Sequence, residues 1–309
     1  ELIVLHETAK TYFLTFPEKL SIFLHAFVVL TLFTAVIGIV QFYLQSSTGL
    51  GRLIGEPVLT DLGFGIAKVS DNIGISFLRP YSLFPHPNIL SAFLFTALII
   101  QICLILKEKW LLNYKFAYAS LFTLIFSLFL SFSRAGLIAF VVSIVSIVIF
   151  TLINKRGFTL IKPLAVTFIC IAISSIFLWP FYQNRAKSGD ESVINRITYN
   201  KIGFSMIKSK PIQGFGPGES LLHMQQFSEE KLQTWEIQPI HNYFLLSATE
   251  IGIPGALLIL ILLVSYLINL FKLSIKNKDG NALLLFTLLI GFMTLMLFDH
   301  YFWTLEQPQ

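Results

Sequence analysis

Apolar positions along most of this chain do not recur at helix or strand spacing; they run on without a break. Continuous stretches cover about 20–44, 89–106, 113–131, 135–153, 160–180, 245–271 and 281–298. As α-helices rising 1.5 Å per residue, such runs match the ~30 Å of hydrocarbon in a bilayer. Lipid offers no partner to backbone N–H and C=O groups, so runs of this length predict helices and not barrel strands. The expected fold class is therefore all-α, a polytopic transmembrane helix bundle of about seven spans. Between positions 193 and 207 the pattern changes. There Val193, Ile194, Ile197, Phe204 and Ile207 can be set near one side, with Arg196, Asn200, Lys201 and Lys208 elsewhere. That spacing predicts a helix lying along the surface and ended by Pro211.

Composition gives the same answer. Of 309 residues, 55% are hydrophobic and only 13% charged, about half the charged share of a soluble domain. A mean hydropathy of +0.75 is more apolar surface than a soluble core of this size could bury. The net charge of +5 would point to nucleic acid in a soluble protein. Here the basic residues fall in short turns between apolar runs, where they orient helices, and no nucleic-acid motif is present. Cys103 and Cys170 lie inside apolar runs, which supports neither a disulfide framework nor a thiolate metal site. A signal peptide pattern is absent, and a chain running from Glu1 to "TLEQPQ" reads as a piece of a longer protein.

The turns between runs fix an orientation. Lys107 and Lys109, then Lys155, Arg156 and Lys162, then Lys272, Lys276 and Lys278 follow alternate spans. Short basic turns mark the cytoplasmic side. The chain then divides into a cytoplasmic-side segment 1–19 and a transmembrane bundle 20–180 with its first outer loop at 45–88. A large extracytoplasmic loop, 181–244, contains short helices, and 245–309 holds the last spans and an outer tail. Elaborated loops on a rigid scaffold commonly carry function, although long loops are also simply tolerated on that side.

Several outer residues are candidates for chemistry. In "LRPYSLFPHPNILSAFL" three prolines stiffen a loop that holds Arg79, Tyr81 and His86 before a helix that Asn88 can cap. That arrangement suits anion binding, or equally a well-made helix opening with a snorkelling arginine. Arg134, in "SFSRAGLIAF", occupies a tight outer turn where the positive-inside trend does not call for a cation. It is either an interfacial anchor or a ligand group. "GFGPG" at 214–218 is a turn that lets backbone approach something closely, and lacks the Lys-Ser/Thr of a P-loop. In "IQPIHNYFLLSATEIGIPG", His241 and Asn242 stand at the mouth of a span. His241 is the side chain best suited to take a proton near neutral pH, or is a histidine satisfied at the interface. Nine residues on, Glu250 would lie roughly opposite His241 on an unbroken helix. A carboxylate at that depth must face protein or water. The adjacent Asp299 and His300 do not converge as metal ligands, and no other histidine spacing predicts a metal site.

Arg79, Arg134, Arg185 and Arg196 thus sit on different outer loops of one membrane face. Guanidinium forks bind phosphate oxygens in pairs, and a lipid-linked diphosphate presents such oxygens at headgroup level. Arginines aimed there would stabilise charge developing on a departing diphosphate.

The motifs "RPYSLFPHPNILSAFL", "SFSRAGLIAF", "PIQGFGPGES" and "HNYFLLSATEIGIPG", in that order, resemble the O-antigen ligase and polymerase superfamily. The resemblance runs from about residue 20 to the end. It implies a membrane glycosyltransferase of the GT-C type in the bacterial cytoplasmic (inner) membrane, with its site facing the periplasm or exterior. The implied donor is an undecaprenyl-diphosphate-linked glycan and the acceptor a glycolipid or glycan hydroxyl, with no metal, cofactor or nucleotide. Arg79, Arg134 and His241 take the catalytic roles. Arg196 binds the diphosphate or glycan, and Arg185, His86, Tyr81, Asn242 and Glu250 are further candidates for substrate binding. Transfer to a lipid A core sugar, as in a ligase, is the favoured outcome. Polymerase and protein O-oligosaccharyltransferase activities belong to the same superfamily, and the family's usual helix number places further spans before Glu1. A transporter or flippase for lipid-linked sugars is the alternative from another class. Transporters concentrate charge near the midplane, whereas the charges here gather on one surface.

Overall fold

The computed structural model describes residues 2–59, 65–71, 73–107, 110–153, 157–187, 191–276 and 280–304, without the side chains of 2–6, 52, 157–161, 184–187, 191–192 and 235. In chain order the elements are α1 (Leu2–Thr15), α2 (Pro17–Leu44), α3 (Gly51–Ile54), β1 (Lys68–Ser70), β2 (Ser76–Leu78), α4 (Pro87–Leu106), α5 (Tyr114–Leu130) and α6 (Arg134–Ile153). There follow α7 (Gly157–Lys187), α8 (Glu191–Ser209), α9 (Ser220–His223), α10 (Tyr243–Lys276), α11 (Gly280–Met296) and α12 (Tyr301–Thr304).

The seven apolar runs correspond to α2, α4, α5, α6, α7, α10 and α11, as the pattern predicts. Five of these are long and apolar enough to cross a bilayer: Pro17–Leu44, Pro87–Leu106, Arg134–Ile153, Lys162–Gln183 and Tyr243–Lys276. The other two, α5 and α11, are 17-residue apolar helices, at the short end of the spanning range. The segment before the first span is itself helical, as α1. One feature departs from an all-helical reading: β1 and β2 pair antiparallel as a small hairpin in the first outer loop.

Helix α4 lies at the centre of the bundle. It is apolar on every side, as a buried helix must be, and packs against α2, α5, α6 and α11. Leu94, Phe95, Leu98 and Ile102 of α4 are fully buried with Leu121 and Leu124 of α5 and Phe140 of α6. Gln101, a buried amide in its middle, donates to the Ala117 carbonyl at 2.6 Å and to Ser120 Oγ at 2.7 Å. In lipid such a group needs a protein partner. The outer surface of α6 shows the complement, with Val141, Val145, Ile149 and Leu152 exposed along one helical face.

Helix α8 appears where the 193–207 pattern puts it. Its inner face buries Tyr199, Ile202 and Met206, while Val193, Ile194, Ile197 and Phe204 stay exposed.

The first outer loop is tied to α2 by a buried polar knot. Gln41 Oε1 accepts from the Tyr81 and Ser82 amides at 3.0 and 2.6 Å, and Gln41 Nε2 donates to Glu56 Oε1 at 2.8 Å. Glu56 also accepts from the Thr48 amide and hydroxyl at 2.7 and 2.8 Å. Those bonds hold its carboxyl below the ordinary value, even though burial, the largest influence, pushes the other way.

Helix α10 is broken. Gly252 adopts φ 74°, ψ 168°, and Pro254 follows two residues later. In an unbroken helix the Thr249 carbonyl would accept from the Ile253 amide, and the Glu250 carbonyl from residue 254, which as proline has no N–H. The "GFGPG" turn supplies the missing partners. Phe215 and Gly216 amides donate to the Thr249 and Glu250 carbonyls, both at 2.9 Å, and the Ile253 amide turns to the Pro211 carbonyl at 2.8 Å. The close approach expected of this turn is therefore to the chain's own broken helix.

A side chain at Gly252 would need a left-handed φ and would collide with the Ile212 carbonyl oxygen; one at Gly214, φ 68°, would meet the Glu250 carbonyl. We expect Gly252→Ala to cost about 2–4 kcal/mol, read as a lowered thermal midpoint of the purified protein in detergent.

Candidate active site

The turn between α5 and α6 is made by Ser131, Phe132 and Ser133. Phe132 has φ 52°, unusual for an aromatic residue. Its ring is held among Phe42, Phe181 and Tyr182 at centroid distances of 5.9, 5.4 and 5.5 Å, which fixes the backbone reversal. α6 then opens with Ser133 Oγ accepting the Gly136 amide at 3.3 Å. Arg134 is thereby delivered at the first position of a spanning helix.

Arg79 arrives from the first outer loop and is 7% exposed. Its amide donates to the Ala67 carbonyl at 3.1 Å. Its Nε donates to the Ser131 carbonyl at 2.9 Å, and an Nη to Asn88 Oδ1 at 3.0 Å. His86, rather than Asn88, caps α4: its Nδ1 accepts the Asn88 amide at 3.1 Å. Asn88 does not cap because its side chain is held elsewhere, between Arg79 and Asp299.

From the large outer loop come Arg196 and Tyr199 on α8, with His241 just before α10. The His241 ring stacks on Tyr199 at 6.0 Å and meets His300 edge-on at 4.9 Å. Tyr199 is itself fixed by donating to the Glu236 carbonyl at 2.8 Å. Nδ1 of His241 is buried and meets no hydrogen-bond partner of normal geometry, with only a slight pull toward protonation from the Pro239 carbonyl.

These groups line one cavity of about 440 Å³. Lys68, Arg79, Arg134 and Arg196 supply four cations, and His86 and His241 two imidazoles. Asn88, Ser133, Asn195 and Gln238 add polar groups. Among the described residues no carboxylate lines it. Burial holds the His241 imidazole at about 4, helped by His300 and Arg196 and opposed by Asp299. His86 is likewise held at about 4 by burial and then by Arg79, again against Asp299. Both rings are neutral near pH 7, when His86 accepts through Nδ1. An interior of concentrated positive charge lacking a lining counter-carboxylate is suited to a polyanion.

Of the predicted site residues, Arg79, Arg134, Arg196, His86 and His241 share the cavity. Tyr81, Asn242 and Glu250 do not line it. Tyr81 accepts the Ala67 amide at 2.7 Å through its hydroxyl. Asn242 opens α10, accepting the Leu245 amide at 3.0 Å and donating to the Leu297 carbonyl at 3.2 Å. Glu250 is 2% exposed and accepts from the Gly218 amide, Ser220 Oγ and Trp303 Nε1 at 2.8, 2.6 and 2.7 Å. It anchors the turn on the broken helix, and the unbroken-helix relation to His241 does not apply because α10 starts after His241. The side chain of Arg185 lies outside the described residues. Lys68 was not legible in the sequence, since it falls in no motif, and Gln238 stands three residues before His241 in a stretch whose other residues carried the signal. Asn195 adjoins Arg196, the only signal that could have marked it.

Residues 119–260 match the family model described as O-antigen ligase. Over that stretch, a little under half of its length, the chain is similar to the O-antigen ligases. The matched residues include Arg134, Arg196 and His241; Arg79, His86 and Lys68 join the cavity from outside it. No curated protein matches the chain. The match and the long apolar helices together support a multi-pass membrane protein similar to the O-antigen ligases.

A histidine with a depressed folded pKa leaves the unfolded chain binding more protons between the two values, so its contribution to stability rises with pH there. We expect stability in detergent to fall as pH drops from about 6.5 to about 4. His86→Gln should lose less across that interval, as followed by circular dichroism.

Proposed function

We propose that the cavity receives the diphosphate of an undecaprenyl-linked glycan, and that the enzyme transfers this glycan to an acceptor hydroxyl, favouring a lipid A core sugar, at the outer face of the bacterial cytoplasmic membrane. The observation carrying this reading is the set of four cations around one 440 Å³ cavity without a lining carboxylate among the described residues.

In this reading Arg79, Arg134 and Arg196 hold diphosphate oxygens, and Lys68 adds charge. The acceptor oxygen forms its bond to the anomeric carbon as the sugar–phosphate bond breaks, and the electron pair leaves with the lipid diphosphate. Guanidinium groups stabilise the charge that grows there. The hydroxyl proton passes to His241, whose neutral ring is the correct form to accept it. Its low proton affinity in the empty cavity favours that form, and an arriving dianion raises the affinity as the proton must move. Diphosphate binding and base strength are thereby linked.

The family match and the outer-loop origin of every lining cation support a lipid-linked glycan over a soluble anion. The same chemistry with a lipid-linked glycan or a protein as acceptor would make the enzyme a polymerase or an O-oligosaccharyltransferase. A panel of acceptors presented to proteoliposomes with synthetic undecaprenyl-diphosphate glycan reads out which product forms. A carrier for lipid-linked sugars would give none.

In that assay Arg134→Ala is expected to lower transfer about 10²–10³-fold, and Arg134→Lys to recover little, since an ammonium lacks the paired fork. His241→Ala should cost about 10²–10⁴-fold. Activity within twofold of wild type for both Ala variants would refute the assignment.

A further inference from the structure

Behind the cavity, and outside its lining, is a buried carboxylate that the reading so far does not use. Asp299 is 5% exposed. It follows α11 directly, its amide bonded to the Leu295 carbonyl at 3.0 Å. One carboxylate oxygen accepts from Asn88 Nδ2 at 2.8 Å, and the other from the His300 amide at 2.9 Å. Both donors are neutral. An asparagine in its place could accept only one of the two bonds, since its NH2 group cannot accept, so the bonds favour a carboxylate but bring no cation to offset its charge. Burying a carboxylate without a direct cationic partner is costly, which leaves the charge itself to be accounted for.

Two observations say what the charge reaches. Through Asn88 it stands one residue from the Arg79 guanidinium, since Asn88 Oδ1 accepts from Arg79 at 3.0 Å. Its field also acts on His86, His241 and His300, and no other carboxylate among the described residues acts on those three rings. The remaining charges facing His241 are Arg196 from α8 and His300 beside Asp299, with Lys68, Arg79, His86 and Arg134 on the cavity wall. The cationic groups among these oppose a proton on His241; among the described residues Asp299 is the one charge that favours it, with the Pro239 carbonyl pulling slightly the same way.

We propose that Asp299 is a positioning residue for transfer: through Asn88 it fixes the Arg79 fork, and by its charge it lets His241 hold the proton taken from the acceptor. The inference rests on the proposed transfer reaction for its activity readouts, while its histidine readout is independent of that reaction. Asp299 touches neither substrate nor reacting atoms. It acts through Asn88 in one direction and through the imidazoles in the other, so that the diphosphate clamp and the proton acceptor share one anchor.

Three variants of the full chain in lipid nanodiscs separate the two arms. Asp299→Asn can keep the bond from Asn88 by turning its one oxygen there, gives up the bond from the His300 amide, and removes the charge. It should lower kcat at least 10-fold with donor KM within about threefold, and move the acidic limb of the pH–rate profile to lower pH by about one unit, because the base binds its proton less well. The ¹⁵N imidazole titration of His241 should move the same way in the absence of any substrate. Asp299→Glu, which restores the charge, should return the titration toward wild type. Asn88→Ala breaks the link to Arg79, and should raise donor KM several-fold while leaving the acidic limb in place.

An Asp299→Asn protein with wild-type kcat and an unmoved His241 titration overturns the proposal. So does one that only melts earlier, with kcat lost but both pH readouts unchanged, which would make Asp299 a structural prop. If Asp299→Asn does not fold, an unchanged donor KM in Asn88→Ala is enough to overturn it. A moved titration in a chain whose wild type transfers nothing from the lipid diphosphate would uphold the positioning role and refute the glycosyl-transfer reading instead.

Discussion

The Arg79 guanidinium holds the cavity end of this helix bundle together. A permanent charge at 7% exposure is tolerated only where acceptors meet its N–H groups in a fixed plane. The acceptors come from the turn between α5 and α6, through Ser131, and from the first turn of α4, through Asn88. Asn88 in turn reaches Asp299 beyond α11, and the Arg79 backbone is bonded to Ala67 just before the hairpin. One residue thus joins the hairpin to the α5–α6 turn and the start of α4, and through Asn88 reaches the end of α11. The planar fork makes the spacing specific, since a flexible ammonium would satisfy the same charge without imposing directions.

A second constraint is backbone accounting at a membrane boundary. At about 1.5 Å per residue, the 34 residues of α10 would extend about 51 Å, well beyond the hydrocarbon thickness. The break at Gly252 leaves Pro254–Lys276 long enough to span alone, and frees the first turns to pack against α8. Such a break needs donors and acceptors from elsewhere in the chain. Residues 211–216 provide them, with Glu250 and Ser220 adding a side-chain anchor. Fixing that turn fixes the end of α8, and α8 carries Arg196 and the Tyr199 ring on which His241 stacks. The segment that brings Arg196 and His241 to the cavity is therefore held by hydrogen bonds into a helix and not by its own core alone.

The membrane helices were readable because continuous apolar runs admit one interpretation, and each run became one helix. The arginine and histidine candidates were readable as exceptions to that pattern, cations on the face where topology does not require them. Other details failed for local reasons. Asn88 has the right chemistry for a cap, but His86 takes that role because Asn88 is drawn to Arg79 and Asp299. Glu250 looked available to a substrate because a carboxylate in an apolar run needs some partner. The partner turned out to be the "GFGPG" turn, whose own close-approach character had been read without its target. Lys68 carries no signal at all, being an ordinary lysine until a three-residue strand turns it toward the cavity wall.

What the sequence determined is set by solvent: lipid forces long apolar helices, so the number and order of the spans follow from the chain, and alternation along it puts the cation-bearing loops at one end of the bundle. What the fold alone decided is convergence. Arg79, Arg134, Arg196 and His241 come from separate loops, and no spacing rule relates them. They share a cavity because buried polar groups must find partners through space, and those partners, Ser131, Asn88, Asp299 and Tyr199, lie far away in sequence. Hydropathy is a property of a segment and can be read along it; the pairing of a guanidinium with a distant carbonyl exists only once the helices have packed.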